Sequence, residues 1–75
     1  MQVEMMPIHV LRPYPRNART HSKSQIRKIA ASIRRFGFCN PALIDDEGQI
    51  IAGHGRIQAA ESMGMKEVPV VRLST

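Results

Sequence analysis

The sequence predicts a small α+β domain, a mixed β-sheet packed with two main helices. Three observations lead there. Two segments carry apolar residues at helical spacing, one from Ile26 to Phe36 and one from Ile57 to Met63. Short runs rich in Val, Ile and Leu, too brief for helices, flank them. Glycine, proline and an acidic turn separate these segments at intervals that suit one domain of 75 residues.

Val3 to Met6 and Ile8 to Leu11 read as two short strands broken by Pro7. The following Arg12-Pro13-Tyr14-Pro15-Arg16-Asn17 reads as a stiff, extended, basic loop, because each proline restricts itself and the residue before it. Ser22 or Ser24 caps a helix whose apolar stripe is Ile26, Ile29, Ala30, Ile33 and Phe36. Gly37 suits a left-handed cap at its end. Pro41 follows too soon for an immediate second helix, which argues against a helix-turn-helix. Ala42 to Asp45 and Gln49 to Ala52 form a hairpin around Asp46-Glu47-Gly48. Gly53-His54-Gly55 then breaks the strand and opens a second helix through Ile57, Ala60 and Met63, ended by Gly64. Glu67 to Leu73 is the last strand, and Pro69 near its start points to a sheet edge.

The composition narrows the function. Cys39 is the only cysteine, so no disulfide forms within the chain, and a reducing, cytoplasmic setting is expected. His9, His21 and His54 are scattered and match no metal-ligand spacing. No apolar run is long enough to span a membrane, and the N-terminus lacks a signal-peptide pattern. A core this small is marginal alone, and the sequence ends directly after a strand. Residues 1–75 are therefore expected to be one domain, the N-terminal part of a longer protein.

The net charge of +5 is unevenly placed. From Ile8 to Arg35 the chain carries Arg12, Arg16, Arg19, Lys23, Arg27, Lys28, Arg34 and Arg35 and no acid, whereas acids outnumber bases from Phe36 onward. That asymmetry points to a polyanion on one face, and DNA is the expected partner. Arg12, Arg16, Arg27, Lys28, Arg34 and Arg35 are the candidate phosphate contacts, giving salt-dependent affinity without base specificity. Phe36 is expected in the core, which leaves few aromatics for base stacking.

The run Gly53-His54-Gly55-Arg56 is the second candidate site. Glycines let the backbone take positive φ and let a ligand approach closely. The first turn of a helix offers N–H donors without intrahelical partners, and the macrodipole adds positive charge. An anion, above all a phosphate, is favoured there. Arg56 can add a bidentate grip, and His54 a hydrogen bond. A glycine pair before a helix is equally consistent with a tight turn beside an exposed arginine.

The run from Ser24 to Leu73, together with the basic loop ending at Asn17-Ala18-Arg19, resembles the N-terminal domain of the ParB family, itself similar to the sulfiredoxin fold. The features are that loop, the helix closed by Phe36-Gly37 with Asn40-Pro41 after it, the run Ile50 to Arg56, and Met65-Lys66-Glu67-Val68-Pro69-Val70. The resemblance implies binding of cytidine triphosphate (CTP) or another nucleotide with Mg2+. The phosphates would lie against a helix start that reads Gly-Glu-Arg-Arg in partition proteins. By position, Gly53 and Arg56 match the first Gly and last Arg, Arg19 matches the arginine of the earlier loop, and Asn40 stands where Gln precedes Pro. With His54 and Gly55 these make up the implied phosphate site. His54 replaces the Glu, Gly55 an Arg, and Gln58 a further Arg, which argues against efficient hydrolysis. The Gly-His-Gly-Arg form looks like ParB-like domains that precede DNA methyltransferase domains, often in phage-type proteins. The role implied is to regulate or target a larger DNA-acting protein, in chromosome partition or DNA methylation, with homodimerisation left open.

Other functions compete. A sulfiredoxin-type enzyme needs a nucleophilic cysteine at the helix start, where this chain has His54, and Cys39 reads as a half-buried residue in another loop. A nuclease or nucleotide-hydrolysing enzyme needs clustered carboxylates; Asp45, Asp46 and Glu47 cluster, but in what reads as a solvated turn. A protein-interaction or dimerisation domain is the remaining alternative, with Met63 in the core and Met1, Met5 and Met6 towards the surface. No residue of this domain is assigned a catalytic role.

Overall fold

The computed structural model of the chain describes residues 2–13 and 22–74. The elements are β1 (Val3–Pro7), a 3-10 turn (Ile8–Val10), β2 (Arg12–Pro13), α1 (Lys23–Phe36), β3 (Ala42–Ile44), β4 (Gln49–Ala52), α2 (His54–Ser62) and β5 (Glu67–Arg72). The strands form one sheet in the order β1-β5-β3-β4-β2. The β1/β5 and β3/β4 pairs are antiparallel, and β5/β3 and β4/β2 are parallel. The α+β class with a mixed sheet and two helices is as the sequence predicts.

Two strand assignments change. Ile8–Val10 is a 3-10 turn, and the second strand comes later, at Arg12–Pro13, inside the segment read as a basic loop. The reason is topological. Ile8 N–H donates to Lys66 O at 2.9 Å and closes the β1/β5 ladder, after which the chain must reach the opposite edge of the sheet. Leu11 is buried on the way, and Arg12 N–H donates to Gly48 O at 2.9 Å to start pairing with β4. Pro69 does not mark an edge, because β5 lies between β1 and β3. It pairs with Met5, one residue past the hydrogen-bonded pair at 68 and 6 when the alternation is counted from Ile8 and Lys66. Its missing N–H therefore faces β3, whose register begins only at Val70.

α1 starts on a complete capping box. Gln25 N–H donates to Ser22 Oγ and Ser22 N–H donates to Gln25 Oε1, both at 3.2 Å, so Ser22 rather than Ser24 is the cap. Ser22→Ala should cost about 1 kcal/mol, a fall in melting temperature of roughly 4–8 °C for a domain this small. Ser24→Ala should stay within about 0.5 kcal/mol of the parent; equal losses at the two positions in a thermal melt would refute the cap assignment. At the other end Gly37 has φ 82 and ψ 177, a positive φ with extended ψ, in place of the left-handed cap expected. Phe36, expected in the core, is 65% exposed and lies under the Arg35 guanidinium, 5.2 Å from its ring centre. Phe38 is partly buried instead and packs against both core clusters.

α2 lies between two apolar layers. Ile57 and Ala60 pack on the sheet with Ala42, Ile44, Ile50, Val68 and Val70. Ala59, one helical step away, meets Ala30 and Ile33 of α1, with Met63 half-buried beside them. A helix covered on both sides carries small apolar residues around much of its circumference, as α2 does. α1 is thus the outermost layer. The other face of the sheet is open: Val3, Met5 and Ile51 point away from the helices and are about half exposed. Among the described residues no helix is long and apolar enough to cross a membrane.

Candidate functional site

The chain passes from β4 into α2 through one residue. Gly53 has φ 99 and ψ 18, the left-handed region that a side chain disfavours. A Cβ placed there would stand 3.0 Å from Ala42 Cβ, 3.1 Å from Ala42 Cα and 2.9 Å from Arg56 Nη2. Glycine is required both by the turn and by the close approach of β3. The first intrahelical bond of α2 runs from Ile57 N–H to Gly53 O at 3.0 Å. The N–H groups ahead of it, from His54 to Arg56, point out of the helix end, where the dipole is positive.

Arg56 is half-buried and folds back over Gly53, its Nη2 donating to Pro41 O at 3.3 Å. Its Nε is buried and, among the described residues, has no hydrogen-bond partner. A buried cationic donor without an acceptor is costly. The helix start therefore holds a positioned positive charge with hydrogen-bonding capacity unused. His54, the first residue of α2, flanks a hollow of about 300 Å3. Ile8, Leu11, Ile50 and Ile57 give it an apolar lining, and Gln58 and Glu61 join His54 on the polar side. Gln58 is the position noted above where partition proteins carry an arginine; the place of Glu61 beside it is not read from the sequence. The available signal was the polar row 54, 58, 61, spaced four and three residues apart beside Ile57.

Of the phosphate-site residues read from the sequence, Gly53, His54, Gly55 and Arg56 form one turn, with Gly55 buried inside it. Asn40 is exposed and precedes Pro41, whose carbonyl holds Arg56. Arg16 and Arg19 lie outside the described residues. The DNA-contact set is not one face. Lys28 and Arg35 project from α1 on the side opposite Ile33 and are exposed. Arg27 and Arg34 instead line a groove with Lys23. Arg12 stands apart, exposed on edge strand β2.

The acidic hairpin turn is occupied with its own structure. Asp45 Oδ1 accepts from the N–H groups of Glu47 and Gln49 at 2.9 Å each, and Asp46 Oδ1 accepts from the Ser74 hydroxyl at 3.0 Å. Cys39, expected to be half-buried, is exposed, the neighbouring Phe38 being the loop residue that packs inward; its Sγ donates to Phe36 O at 3.2 Å.

A mixed sheet whose strand enters a helix through a single left-handed glycine, with an arginine folded over that turn, defines an α+β domain that presents a helix N-terminus as its polar site. The chain belongs to the ParB N-terminal domain family, which it matches over residues 1–74. It is 50% identical over 74 residues to the ParB-like nuclease domain-containing protein YnaK of Escherichia coli (strain K12), covering 99% of this chain and 85% of YnaK. It is also similar in structure to the C-terminally truncated chromosome-partitioning protein ParB from Caulobacter crescentus complexed with CTP-gamma-S. There the TM-score is 0.85 at 30% identity, over 100% of this chain and 46% of that one. The same ParB complexed to the centromeric parS site gives a TM-score of 0.83 at 31% identity, over 95% of this chain and 40% of that one. Sulfiredoxin from Arabidopsis thaliana gives 0.87 at 17% identity over 100% of this chain and 88% of that one, a likeness of fold alone. The chain thus spans less than half of the solved ParB chain.

Proposed function

We propose that this domain binds CTP or a related nucleoside triphosphate, with the phosphates at the start of α2, and rests on DNA backbone through the basic outer side of α1. The observation that carries the reading is Arg56, held over Gly53 by Pro41 O with its Nε buried and unused among the described residues. A phosphate at the helix start is favoured by the dipole and the first-turn N–H groups, with the Arg56 guanidinium folded over the same turn. The hollow beside His54, Gln58 and Glu61 offers an apolar seat to the rest of the nucleotide. Magnesium, if it accompanies the nucleotide, is bound mainly through phosphate oxygens. The complex of the Caulobacter protein with CTP-gamma-S supports this reading.

Asn40 and Arg19 belong to the proposed phosphate site, and Arg12, Arg16, Arg27, Lys28, Arg34 and Arg35 to the DNA-facing set, with Lys28 and Arg35 the most outward of those described. The parS complex of the same relative supports DNA as partner. With His54, Gly55 and Gln58 in place of the family's acid and arginines, the site binds and does not hydrolyse efficiently. The domain acts as a regulatory or targeting module within a longer DNA-acting protein, a partition protein or a DNA methyltransferase.

The test is an amide-resolved NMR titration with CTP and ATP plus magnesium, and separately with a short DNA duplex at two salt concentrations. Nucleotide shifts should centre on Asn40 and Gly53 to Arg56, and Arg56→Ala should weaken binding about tenfold or more. DNA shifts along α1 should shrink as salt rises. Silence at Gly53 to Arg56 with both nucleotides would refute the phosphate site, and silence along α1 would refute the DNA surface.

A further inference from the structure

The chain has two phenylalanines and one tyrosine. Tyr14 lies outside the described residues, and Phe38 packs against both core clusters. Phe36 is the exception: the core does not use it, and it stands in solvent at the end of α1. Its surroundings are cationic. The Arg35 guanidinium lies over the ring, 5.2 Å from its centre, and restrains it, yet the residue stays 65% exposed. Lys28 projects from the same flank of the helix, about 80° round from Phe36 and about 12 Å back along the axis. No acid occurs anywhere from Ile8 to Arg35.

The backbone that carries the ring is held on both sides. Gly37 N–H donates to Ile33 O at 2.8 Å, and Cys39 Sγ donates to Phe36 O at 3.2 Å. Beside it the space is open, since a Cβ on Gly37 would meet no described atom within 4 Å. A restrained ring loses little freedom when a partner covers it.

The charge selects a polyanion and the ring selects a flat partner. A nucleic-acid strand supplies both, since every base has a π-face and a phosphate on either side. In an intact duplex the base faces are stacked on one another, so the ring meets one only where a base is unpaired. A lipid surface is met by a row of apolar side chains. Here the exposed residues next to Phe36 on the helix flank and in the loop, Ser32, Gly37 and Asn40, are small or polar.

We propose that Phe36 is a base-stacking residue. The end of α1 takes an unpaired nucleotide of a DNA strand, with the base on the Phe36 ring and the adjoining phosphates on Arg35 and Lys28. The proposal rests on the reading of α1 as a DNA surface, and adds to it a contact that only unpaired DNA makes.

The experiment is fluorescence anisotropy with three labelled probes: a short mixed-sequence single strand that cannot pair with itself, an abasic strand of the same length, and a fully paired duplex. The proteins are the parent, Phe36→Ala, Phe36→Leu and Phe36→Trp, each checked for native fold by circular dichroism. The parent should bind the single strand about fivefold or more tighter than the abasic strand. Phe36→Ala and Phe36→Leu should lose that advantage, and Phe36→Trp should keep it. All four should bind the abasic strand and the duplex alike. A parent that binds single and abasic strands equally overturns the proposal, and so does a Phe36→Ala protein with the advantage intact; in both cases duplex binding by the parent leaves the DNA surface standing. Absence of binding to all three probes overturns the DNA surface and the proposal together. Binding of the parent to anionic phospholipid vesicles that Phe36→Ala loses, with no advantage for the single strand, overturns the proposal in favour of a membrane contact. Should Phe36→Ala fail to fold, the parent's ratio of single-strand to abasic affinity and its loss in Phe36→Leu decide the matter.

Discussion

Replacing Gly53 with alanine is expected to destabilise the domain by roughly 2–4 kcal/mol and to remove nucleotide binding with it. Two costs add. At φ 99 the backbone is in a region that an L side chain disfavours. The new Cβ would also stand 3.1 Å from Ala42 Cα, backbone of a strand held on both sides by β4 and β5, which cannot yield. Arg56 Nη2, the third close atom, is the end of a flexible chain and can move, but moving it takes the guanidinium off the helix start. A domain of this length is stabilised by about 4–11 kcal/mol in all. The loss should therefore lower the melting temperature by about 10 °C or more. A Gly53→Ala protein that melts with the parent and still shifts on CTP addition would show that neither the turn nor the arginine is placed as described.

Ile44→Ala carries the largest expected loss of stability, roughly 2–5 kcal/mol. Ile44 is fully buried on the helix side of the sheet, and the strands around it cannot collapse into the space it leaves. In urea the midpoint should fall by a large fraction of its parent value with the slope unchanged. Ile51→Ala is the control, since Ile51 is on the opposite face and about half exposed; it should cost less than about 1 kcal/mol. Equal losses at the two positions would mean that the open face of the sheet is covered in solution.

Much of the fold was legible in the residue pattern because the signals were local. The stripe from Ile26 to Ile33, the β3–β4 hairpin around Gly48 and the break at Gly53 each depend on spacing or on a backbone geometry favoured by one residue type. The Gly53 to Arg56 turn was readable for the same reason, since its residues are consecutive. The misread positions depended on distant partners. Whether Ile8–Val10 continues a strand is decided by where β2 must pair, on the opposite edge of the sheet. Pro69 sits inside the sheet because β3 begins one residue too late to need its N–H. Phe36 lies on the apolar stripe of α1 but is left exposed, while Phe38, two residues on in the following loop, packs against both core clusters; which of the two is covered depends on what lies opposite, not on spacing.

The same division holds for the binding surfaces. The sequence by itself determined the helix start with its glycine and arginine, and the excess of cations along α1, since both are matters of composition and neighbouring positions. Only the tertiary structure decided that Arg56 leans back on Pro41, fifteen residues earlier in the chain, with a donor to spare. It also divided the α1 cations, Lys28 and Arg35 facing away from Ile33 and Arg27 and Arg34 joining Lys23 along a groove that Ser62 of α2 borders. The physical reason is that charge and turn propensity belong to each residue. Which side of a helix becomes a cleft is set by what packs against it.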